Sequence, residues 1–338
     1  QNLDLNRDKY ALFYPTQNRA VLIKNKYQAS LEEVSLPKMK PGDILIQVNY
    51  VGVCRTDLEI YDGSLGYYHS GLAHYPIVPG HEFSGKIIQI GANNKYREWF
   101  KVGERVVGEC ILSRGPGRQE VGVINYNGAY SQFMIMPGEY LHQIPEGLDS
   151  KIACLAEPLA VVLRAIKRLS PRLKLEDSIA VVGVGAIGNL CSQVLSRLGY
   201  QITVFDKNKD RIEFLRDKVK EVSRALDNLE KFNVIIEATG SVEVLGKILK
   251  ASRPDATVLL LGFPYGNIDY NFEDIVSQEK VVIGSVGGSA EEFREALQLL
   301  PELDTRRFTE NILPLAEFTK AWQLHNSQKY LKIILEVG

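Results

Sequence analysis

The hydrophobic pattern divides the chain into two parts of different texture. Up to about residue 150, short apolar runs alternate with Gly and Pro, as in DILIQVNYVGV, FSGKIIQIG and GAYSQFMIM. Short strands with frequent turns are typical of an antiparallel, barrel-like domain. From Glu157 onward, helical segments alternate with uniformly apolar strands such as SIAVVGVG, NVIIEATG and ATVLLLGF. Because such strands are covered on both faces, this part predicts a parallel, doubly wound sheet.

We therefore predict an α/β protein of two domains. A chain of 338 residues agrees with this number, since one domain takes about 150 residues. The first domain is expected to cover residues 1–155 and the second residues 156–299. After residue 300, a helix around residues 315–325 and a last strand in YLKIILEV are expected to return to the first domain.

Residues 178–206 have the pattern of a strand, a glycine-rich turn, a helix and a second strand that ends on a carboxylate. The turn consists of Gly183, Val184, Gly185, Ala186, Ile187 and Gly188. Its three glycines suit a tight turn, close approach of a pyrophosphate and close packing of helix on strand, in that order. Asp206 follows Gly188 by 18 residues, near the spacing of about 20 for an acid that binds a ribose. The pattern predicts a Rossmann domain that binds a dinucleotide.

Composition narrows the possible partners. The formal charge is −1 and the isoelectric point about 6.6, so neither nucleic acid nor an anionic membrane is an expected partner. We interpret the densest basic stretch as a solvated face; it contains Arg164, Lys167, Arg168, Arg172 and Lys174. No apolar run approaches the ~18 residues of a membrane span, and QNLDLNRDKY lacks the apolar core of a signal peptide. With four scattered cysteines and no CxxC pair, we expect a cytoplasmic protein.

Three residues of the chain have side chains suited to zinc. Cys54, His81 and Glu157 are permitted ligand types, and a catalytic zinc takes three protein ligands and an open position. Each also has an ordinary explanation: a buried apolar cysteine, a hydrogen-bonded histidine and a carboxylate at a helix start. The residue types alone therefore leave the metal site open.

The sequence motifs around these residues resemble those of a known family. GVCRTD at residues 52–57, PGHEFSG at 79–85, GERV at 103–106 and LAEPLAV at 155–161 are similar to motifs of the zinc-dependent medium-chain dehydrogenases. The similarity is to their polyol, sugar and threonine dehydrogenase branch, and it covers essentially the whole chain. It implies a GroES-like antiparallel β-barrel catalytic domain and a doubly wound parallel Rossmann domain.

The resemblance also implies a metal site. Cys54 and His81 match the zinc ligands of the family, and Glu157 matches the third-ligand position. Glu82 matches a residue that in several relatives exchanges with water or with that third ligand, and the alternative role is a carboxylate that orients the site; both stay open. Most zinc relatives carry a second, structural zinc on four cysteines, whereas residues 109–127 contain only Cys110. We expect one zinc per chain, and a segment here ordered by packing or by a partner subunit.

Other residues match family positions near the substrate and the cofactor. Thr56 matches the hydroxyl that bonds the substrate oxygen and passes its proton outward. Arg55 matches an arginine on the cofactor pyrophosphate in some members, and Arg211 a basic side chain beside the adenosine ribose. Glu59 stands where some relatives carry a relay histidine, so the proton route is expected to differ.

The sequence therefore predicts an oxidoreductase that transfers a hydride between a polar secondary alcohol and NAD. A polyol, sugar, cyclitol or aminocyclitol is expected, and YDGSLGYYHSGLAHYP offers hydroxyl-bearing partners such as Tyr67, Tyr68 and Ser70. Two alternatives remain: a zinc-free quinone or enone reductase of the same superfamily, and a nucleotide-binding protein without catalysis. A homo-oligomer, dimer or tetramer, is expected, while the exact alcohol and the physiological direction stay undetermined.

Overall fold

The computed structural model describes residue 15, residues 17–91 and residues 94–338. The strands of the N-terminal part are β1 (Arg19–Asn25), β2 (Gln28–Glu33), β3 (Asp43–Gly52), β4 (Glu82–Ile90), β5 (Arg105–Gly108), β6 (Ile111–Ser113), β7 (Gln119–Val121), β8 (Asn125–Tyr126), β9 (Phe133–Pro137) and β10 (Leu141–Gln143). Its helices are α1 (Arg55–Asp62), α2 (Gly66–His69) and α3 (Ser150–Ala153), and α4 (Ala156–Leu169) leads into the part that follows.

Strands and helices alternate in the part that follows. In chain order they are β11 (Ser178–Val182), α5 (Ala186–Arg197), β12 (Gln201–Phe205), α6 (Lys209–Leu215), β13 (Glu221–Ser223), β14 (Val234–Glu237), α7 (Val242–Ala251), β15 (Thr257–Leu260), α8 (Glu273–Ser277), β16 (Val281–Gly284), α9 (Ala290–Leu299), β17 (Ile312–Pro314), α10 (Phe318–Asn326) and β18 (Ile334–Glu336). Short 3-10 helices cover Lys95–Glu98, Gly138–Tyr140, Ser170–Arg172, Leu229–Lys231, Leu300–Glu302, Arg306–Phe308 and Leu315–Glu317.

The main sheet of the N-terminal part is antiparallel except at one pair. Among the described residues its strand order is β10-β5-β4-β3-β18-β17, and β9 also pairs with β3. Strand β18 is antiparallel to β3, with Ile334 opposite Gly52, and β17 is parallel to β18. The C-terminal strands β17 and β18 therefore lie in the same sheet as β3, β4 and β5. The smaller sheets are β1-β2 and β6-β7-β8.

The second sheet is parallel throughout. In the described part of the chain its order is β13-β12-β11-β14-β15-β16, the arrangement of a doubly wound dinucleotide-binding fold. Its strands are almost wholly buried at the centre, because helices cover both faces. One apolar core includes residues of α4, α5 and α9, and another includes residues of α7. The glycine-rich turn follows β11, and Asp206 follows β12, at the carboxyl edge where such folds bind ligands.

The observed elements match the main predicted segments and add several short ones. The sequence gives no clear strand pattern for three of these elements: the hairpin β1-β2, the edge strand β13 and strand β17. Their exposed positions break the apolar alternation typical of a strand. The division at residues 155/156 stays a prediction; α4, which begins there, packs against α5 and α9. No helix within the described ranges is long and apolar enough to cross a lipid bilayer.

Residues 109–127, in which Cys110 is the one cysteine, contain the small sheet β6-β7-β8. Val121, Val123 and Ile124 are buried in the core of the N-terminal part. The Tyr68 hydroxyl donates to the Val123 carbonyl at 3.1 Å. Apolar packing and backbone pairing therefore hold this segment.

Candidate functional site

A cluster of potential metal ligands lies where β3 ends and β4 begins. Glu82 pairs with Gly52 in the antiparallel register of β4 and β3. Because Cys54 follows two residues after Gly52, and His81 directly precedes Glu82, the pairing brings the three side chains together. One ligand atom from each of Cys54, His81 and Glu82 lies within 4.8 Å of the others. A thiolate, an imidazole and a carboxylate at this separation form a donor set suited to zinc.

The Glu82 carboxylate is also held by a lysine from the far end of the chain. Lys332 Nζ donates to Glu82 Oε2 at 2.6 Å and to the Val53 carbonyl oxygen at 3.1 Å. Both side chains are buried. Burial alone would lower the pKa of Lys332, but the charges of Glu82 and Cys54 raise it. The lysine therefore compensates a negative charge that burial would otherwise make costly.

Glu157 lies near this cluster without joining it. Its side chain is buried, and the Cys54, His81 and Glu82 group within 4.8 Å does not include it. Burial raises the pKa of Glu157 to about 7. The charge of His81 opposes this rise, and the charge of Glu82 adds to it. Of the two candidate third ligands, Glu82 is the one that belongs to the group within 4.8 Å, while Glu157 interacts with the charge of His81.

A buried hydrogen-bond chain supports the cluster from behind. Asp57 Oδ2 accepts from the Cys54 backbone N–H at 2.9 Å and from the Tyr130 hydroxyl at 3.1 Å. Trp322 Nε1 donates to the Tyr130 hydroxyl oxygen at 3.3 Å. Asp57 Oδ1 faces His81 Nδ1 at 3.9 Å, and within the described residues neither atom has a hydrogen-bond partner. A carboxylate behind a ligating histidine is the usual device that orients its ring.

The two residues after Cys54, Arg55 and Thr56, differ in their exposure and contacts. Thr56 is half-buried in the first turn of α1. Arg55 is 60% exposed, forms an ion pair with Glu59 at 2.7 Å and donates to the Thr239 carbonyl oxygen at 3.3 Å. Because Thr239 follows β14, Arg55 links the metal cluster to the edge of the parallel sheet. The buried Glu59 is therefore paired with a cation at the position expected for a relay group.

The glycine-rich turn has the geometry that its sequence predicts. Gly183 has φ 86°, in the left-handed region. A Cβ on Gly188 would overlap the Gly183 carbonyl oxygen, so a side chain there would separate helix from strand. A Cβ on Gly185 would meet only Arg211 Nη1, at 3.6 Å, so this glycine leaves the turn accessible. Ala186 and Ile187 begin α5 and are half-buried.

Asp206 and Arg211 lie beside this turn. Asp206 Oδ2 accepts from the Val184 N–H, and Oδ1 accepts from the Asn208 N–H, both at 2.8 Å. Each carboxylate oxygen keeps capacity for a further hydrogen bond. Arg211 donates from Nη2 to the Tyr330 carbonyl oxygen at 3.3 Å, while its buried Nε has no partner among the described residues. Burial lowers the pKa of Arg211, and the charge of Asp206 opposes this shift.

Positive charges from separate segments converge near α10. The pKa of His325 is lowered to about 3 by burial and then by the charges of Lys332, Arg211 and Arg55. His325 is therefore neutral near pH 7. Sequence reasoning did not select His325, Lys332 or the Asp57–Tyr130–Trp322 chain. The one available signal was Lys332 itself, a lysine within the apolar run YLKIILEV.

The residues fit both groups that the resemblance implies. The buried sulfur, nitrogen and oxygen donors of Cys54, His81 and Glu82 suit zinc. The uncovered Gly185 and the unpartnered Nε of Arg211 suit an anionic diphosphate at the N-terminus of α5. Fold and site together define the class: a two-domain dinucleotide-binding protein with a candidate metal centre in its N-terminal part.

Comparisons with known proteins agree with this class. Residues 40–146 match the family model "Alcohol dehydrogenase GroES-like domain", and residues 150–337 match "Glucose dehydrogenase C-terminus". A sorbitol dehydrogenase of Halalkalibacterium halodurans is 27% identical, covering 88% of this chain and 93% of that protein. A D-arabitol-phosphate dehydrogenase of Enterococcus avium is 25% identical, covering 91% and 94%. The solved structure of acetophenone reductase from Geotrichum candidum, 19% identical, superposes with a TM-score of 0.85 over 96% of this chain and 98% of that one.

The chain belongs to the family of the glucose dehydrogenase C-terminus, whose model matches more than half of it, and carries a GroES-like alcohol dehydrogenase domain before it. This confirms the predicted place among the zinc-dependent medium-chain dehydrogenases. The predicted fold class, a GroES-like domain joined to a parallel Rossmann domain, is confirmed as well.

Proposed function

We propose that this protein is a zinc- and NAD-dependent dehydrogenase that acts on a polar secondary alcohol. The observation that carries the proposal is the cluster of Cys54, His81 and Glu82 within 4.8 Å of one another, linked through Arg55 to the parallel sheet. Family membership supports an NAD-dependent alcohol dehydrogenase with zinc, as the sequence predicts. A zinc-free reductase of the same superfamily would have no use for this donor set.

Each residue of the metal cluster has a proposed role. One zinc per chain would be held by Cys54, His81 and Glu82, with Glu157 as the alternative third ligand. Bound zinc supplies a Lewis acid that polarises the substrate hydroxyl, and NAD supplies the hydride acceptor. Thr56 accepts a hydrogen bond from the substrate hydroxyl and conveys its proton outward. Lys332 holds Glu82 in place, and Asp57 orients His81.

The cofactor is proposed to lie along the carboxyl edge of the parallel sheet. The backbone of residues 183–188 and the N-terminus of α5 would receive the diphosphate, with Arg55 and Arg211 as cationic partners. Asp206 would accept hydrogen bonds from the adenosine ribose and repel a 2′-phosphate, which favours NAD over NADP. Its position beside Val184 supports this role.

Two observations support the proposed substrate class: the names of relatives and the hydroxyl-bearing side chains near the cleft. The names of two relatives refer to sorbitol and to D-arabitol phosphate, which supports a polyol, sugar, cyclitol or aminocyclitol. Of the hydroxyl-bearing residues that the sequence suggested, Tyr68 donates to a backbone carbonyl and Ser70 to the Tyr67 carbonyl. Tyr67 lies against Phe263, with ring centroids 6.5 Å apart. Tyr67 therefore faces the second domain.

A substrate screen with NAD tests the proposal, combined with elemental analysis of the purified protein. The expected result is one tightly held zinc per chain and a kcat/KM for polyols or aminocyclitols well above that for ethanol or hexanol. A site built for substrate hydroxyls discriminates by about 10⁴ or more against analogues that lack them. Equal activity on hexanol would contradict the polar substrate class. NAD binding without turnover on every alcohol would favour the non-catalytic alternative.

Two further predictions remain to be measured. We propose a homo-oligomer, a dimer or tetramer, since β16 forms an edge of the parallel sheet and exposes Val282. Light scattering of the purified protein at several concentrations tests this state. A cytoplasmic location is likewise proposed, and cell fractionation tests it.

A further inference from the structure

A cavity of about 440 Å³ lies at the carboxyl ends of β15 and β16, along the edge proposed for the cofactor. Phe263, Arg114, Arg164 and Arg168 are among the residues that line it. The prediction of a solvated basic face is therefore wrong for Arg164, which is half-buried. The cavity belongs with the proposed cofactor site. That site does not account for Tyr265, which follows Phe263 by two residues.

The side chain of Tyr265 reaches from the second domain to the first. Tyr265 follows the end of β15 by five residues, yet its ring packs against the apolar core of the N-terminal part. The ring also stacks on that of Phe263, with centroids 6.0 Å apart and an interplanar angle of 19°. Its hydroxyl is buried and makes no hydrogen bond of normal geometry within the described ranges. Because an unpaired buried hydroxyl costs free energy, we expect it to have an acceptor close by.

That acceptor is the carboxylate of Glu59 on α1. Glu59 is 6% exposed. Burial raises its pKa, and the neighbouring Arg55 and Tyr265 lower it. Burial likewise raises the pKa of Tyr265, and the charge of Glu59 adds to this rise. The phenol of the second domain and the carboxylate of the first therefore face each other.

The same carboxylate holds the guanidinium of Arg55. Arg55 Nε donates to Glu59 Oε1 at 2.7 Å, and Nη1 donates to the Thr239 carbonyl oxygen at 3.3 Å. A Cβ on Gly240 would lie 3.6 Å from Arg55 Nη1 and 3.1 Å from the Phe263 carbonyl oxygen. The segments after β14 and β15 therefore both border the guanidinium. Although its side chain is 60% exposed, Arg55 is held on two sides.

We propose that Tyr265 and Glu59 are positioning residues that hold Arg55 toward the diphosphate of the cofactor. In the cofactor-bound enzyme the Tyr265 hydroxyl donates to Glu59, and Glu59 fixes the orientation of the Arg55 guanidinium. This inference rests on the proposed function, because it takes Arg55 as a partner of the cofactor. A donor fork that is fixed in advance loses less side-chain entropy when it binds an anion.

This role connects the cofactor edge to the metal cluster. Arg55 directly follows Cys54, and Glu59 lies on the helix that Cys54 caps. Glu59, which stands where some relatives carry a relay histidine, then anchors a cation instead of carrying a proton. This agrees with the expectation that the proton leaves by a different route.

Titration of the zinc-loaded protein with NAD tests the proposal in a double-mutant cycle. Tyr265→Phe removes the hydroxyl and keeps the ring, so it should weaken NAD binding about fivefold, the effect of one hydrogen bond. Glu59→Met removes the acceptor at similar volume. In that background Tyr265→Phe should change the dissociation constant by less than about twofold, because the hydroxyl has already lost its partner.

Tyr50→Phe is the matched control for this cycle. The Tyr50 hydroxyl also donates to a glutamate, Glu336 Oε1 at 3.2 Å, but the pair lies on the main sheet of the N-terminal part. Its loss should leave the affinity for NAD unchanged.

Steady-state kinetics separate a positioning role from a purely structural one. Tyr265→Phe should raise KM for NAD about fivefold and leave kcat and KM for the alcohol near those of the wild type. Unchanged KM and dissociation constant for NAD would overturn the inference and leave the dehydrogenase standing. An equal loss of NAD affinity with and without Glu59 would overturn the route through Glu59. A loss that depends on Glu59, in a protein that oxidises no alcohol, would support the inference and contradict the dehydrogenase.

Discussion

The cofactor turn and the metal cluster are assembled in opposite ways. The turn comes from one continuous run, residues 178–206, and acts largely through its backbone. The cluster draws on separate segments: Cys54 after β3, His81 and Glu82 at the start of β4, and Lys332 before β18. A contiguous motif depends on local conformation, whereas a dispersed cluster depends on strand register and on individual side chains. Truncation of a single side chain should therefore damage the cluster more than the turn.

The sharpest test of this difference is Cys54→Ala. Loss of the thiolate should remove zinc and lower kcat/KM by on the order of 10³-fold or more, since a Lewis acid contributes several kcal/mol. NAD binding, which depends on the turn, should persist. Elemental analysis, kinetics and NAD titration measure the three effects. The control Cys191→Ala, in α5, should keep the metal; a fully active, zinc-free Cys54→Ala enzyme would refute the assignment.

Thr56→Val tests a side chain beside the metal that is not a ligand. Removal of the hydroxyl should slow oxidation by on the order of 10²-fold, the usual contribution of general acid–base catalysis. Zinc content and NAD affinity should stay near those of the wild type. Thr56→Ser, which retains the hydroxyl, should restore most of the rate. Wild-type turnover in Thr56→Val would make the residue structural.

Asp57→Asn tests the hydrogen-bond chain behind the cluster. The amide cannot serve His81 as the carboxylate does, so zinc affinity should fall by about 10–100-fold. Competition with a chelator measures this affinity. Asp62→Asn, at the other end of α1, is a matched control that should leave it unchanged. Unaltered zinc affinity in Asp57→Asn would mean that Asp57 only caps the helix through the Cys54 N–H.

Asp206→Ser concerns the cofactor turn and should have the smallest effect. The ratio of kcat/KM for NAD to that for NADP should fall by about tenfold, because the repulsion of a 2′-phosphate is removed. Overall activity with NAD should fall less, since the turn keeps its backbone contacts. Asp210→Ser, an exposed acid in the first turn of α6, is the control. A wild-type enzyme that prefers NADP would reject the role of Asp206.

The candidate site was predictable to the extent that its residues lie within recognisable motifs. The three glycines of the turn, Asp206 and the pair Cys54 and His81 all belong to such motifs. The buried chain from Asp57 to Trp322 does not, because its members are far apart in sequence and each has a common residue type. The choice between Glu82 and Glu157 was likewise open, since both are acids in family motifs. Only the folded chain shows that Glu82 joins Cys54 and His81 in the group within 4.8 Å.

The sequence by itself determined the two textures, the parallel sheet, the glycine-rich turn and the types of the metal donors. Periodicity and steric demands of glycine act over a few residues, so the local pattern contains them. Tertiary structure decided that Lys332 holds Glu82, and that Arg114 meets Arg164 and Arg168 at one cavity. These encounters depend on strand register and helix packing across hundreds of residues. Charge compensation inside a protein is a property of three-dimensional proximity, which no local pattern encodes.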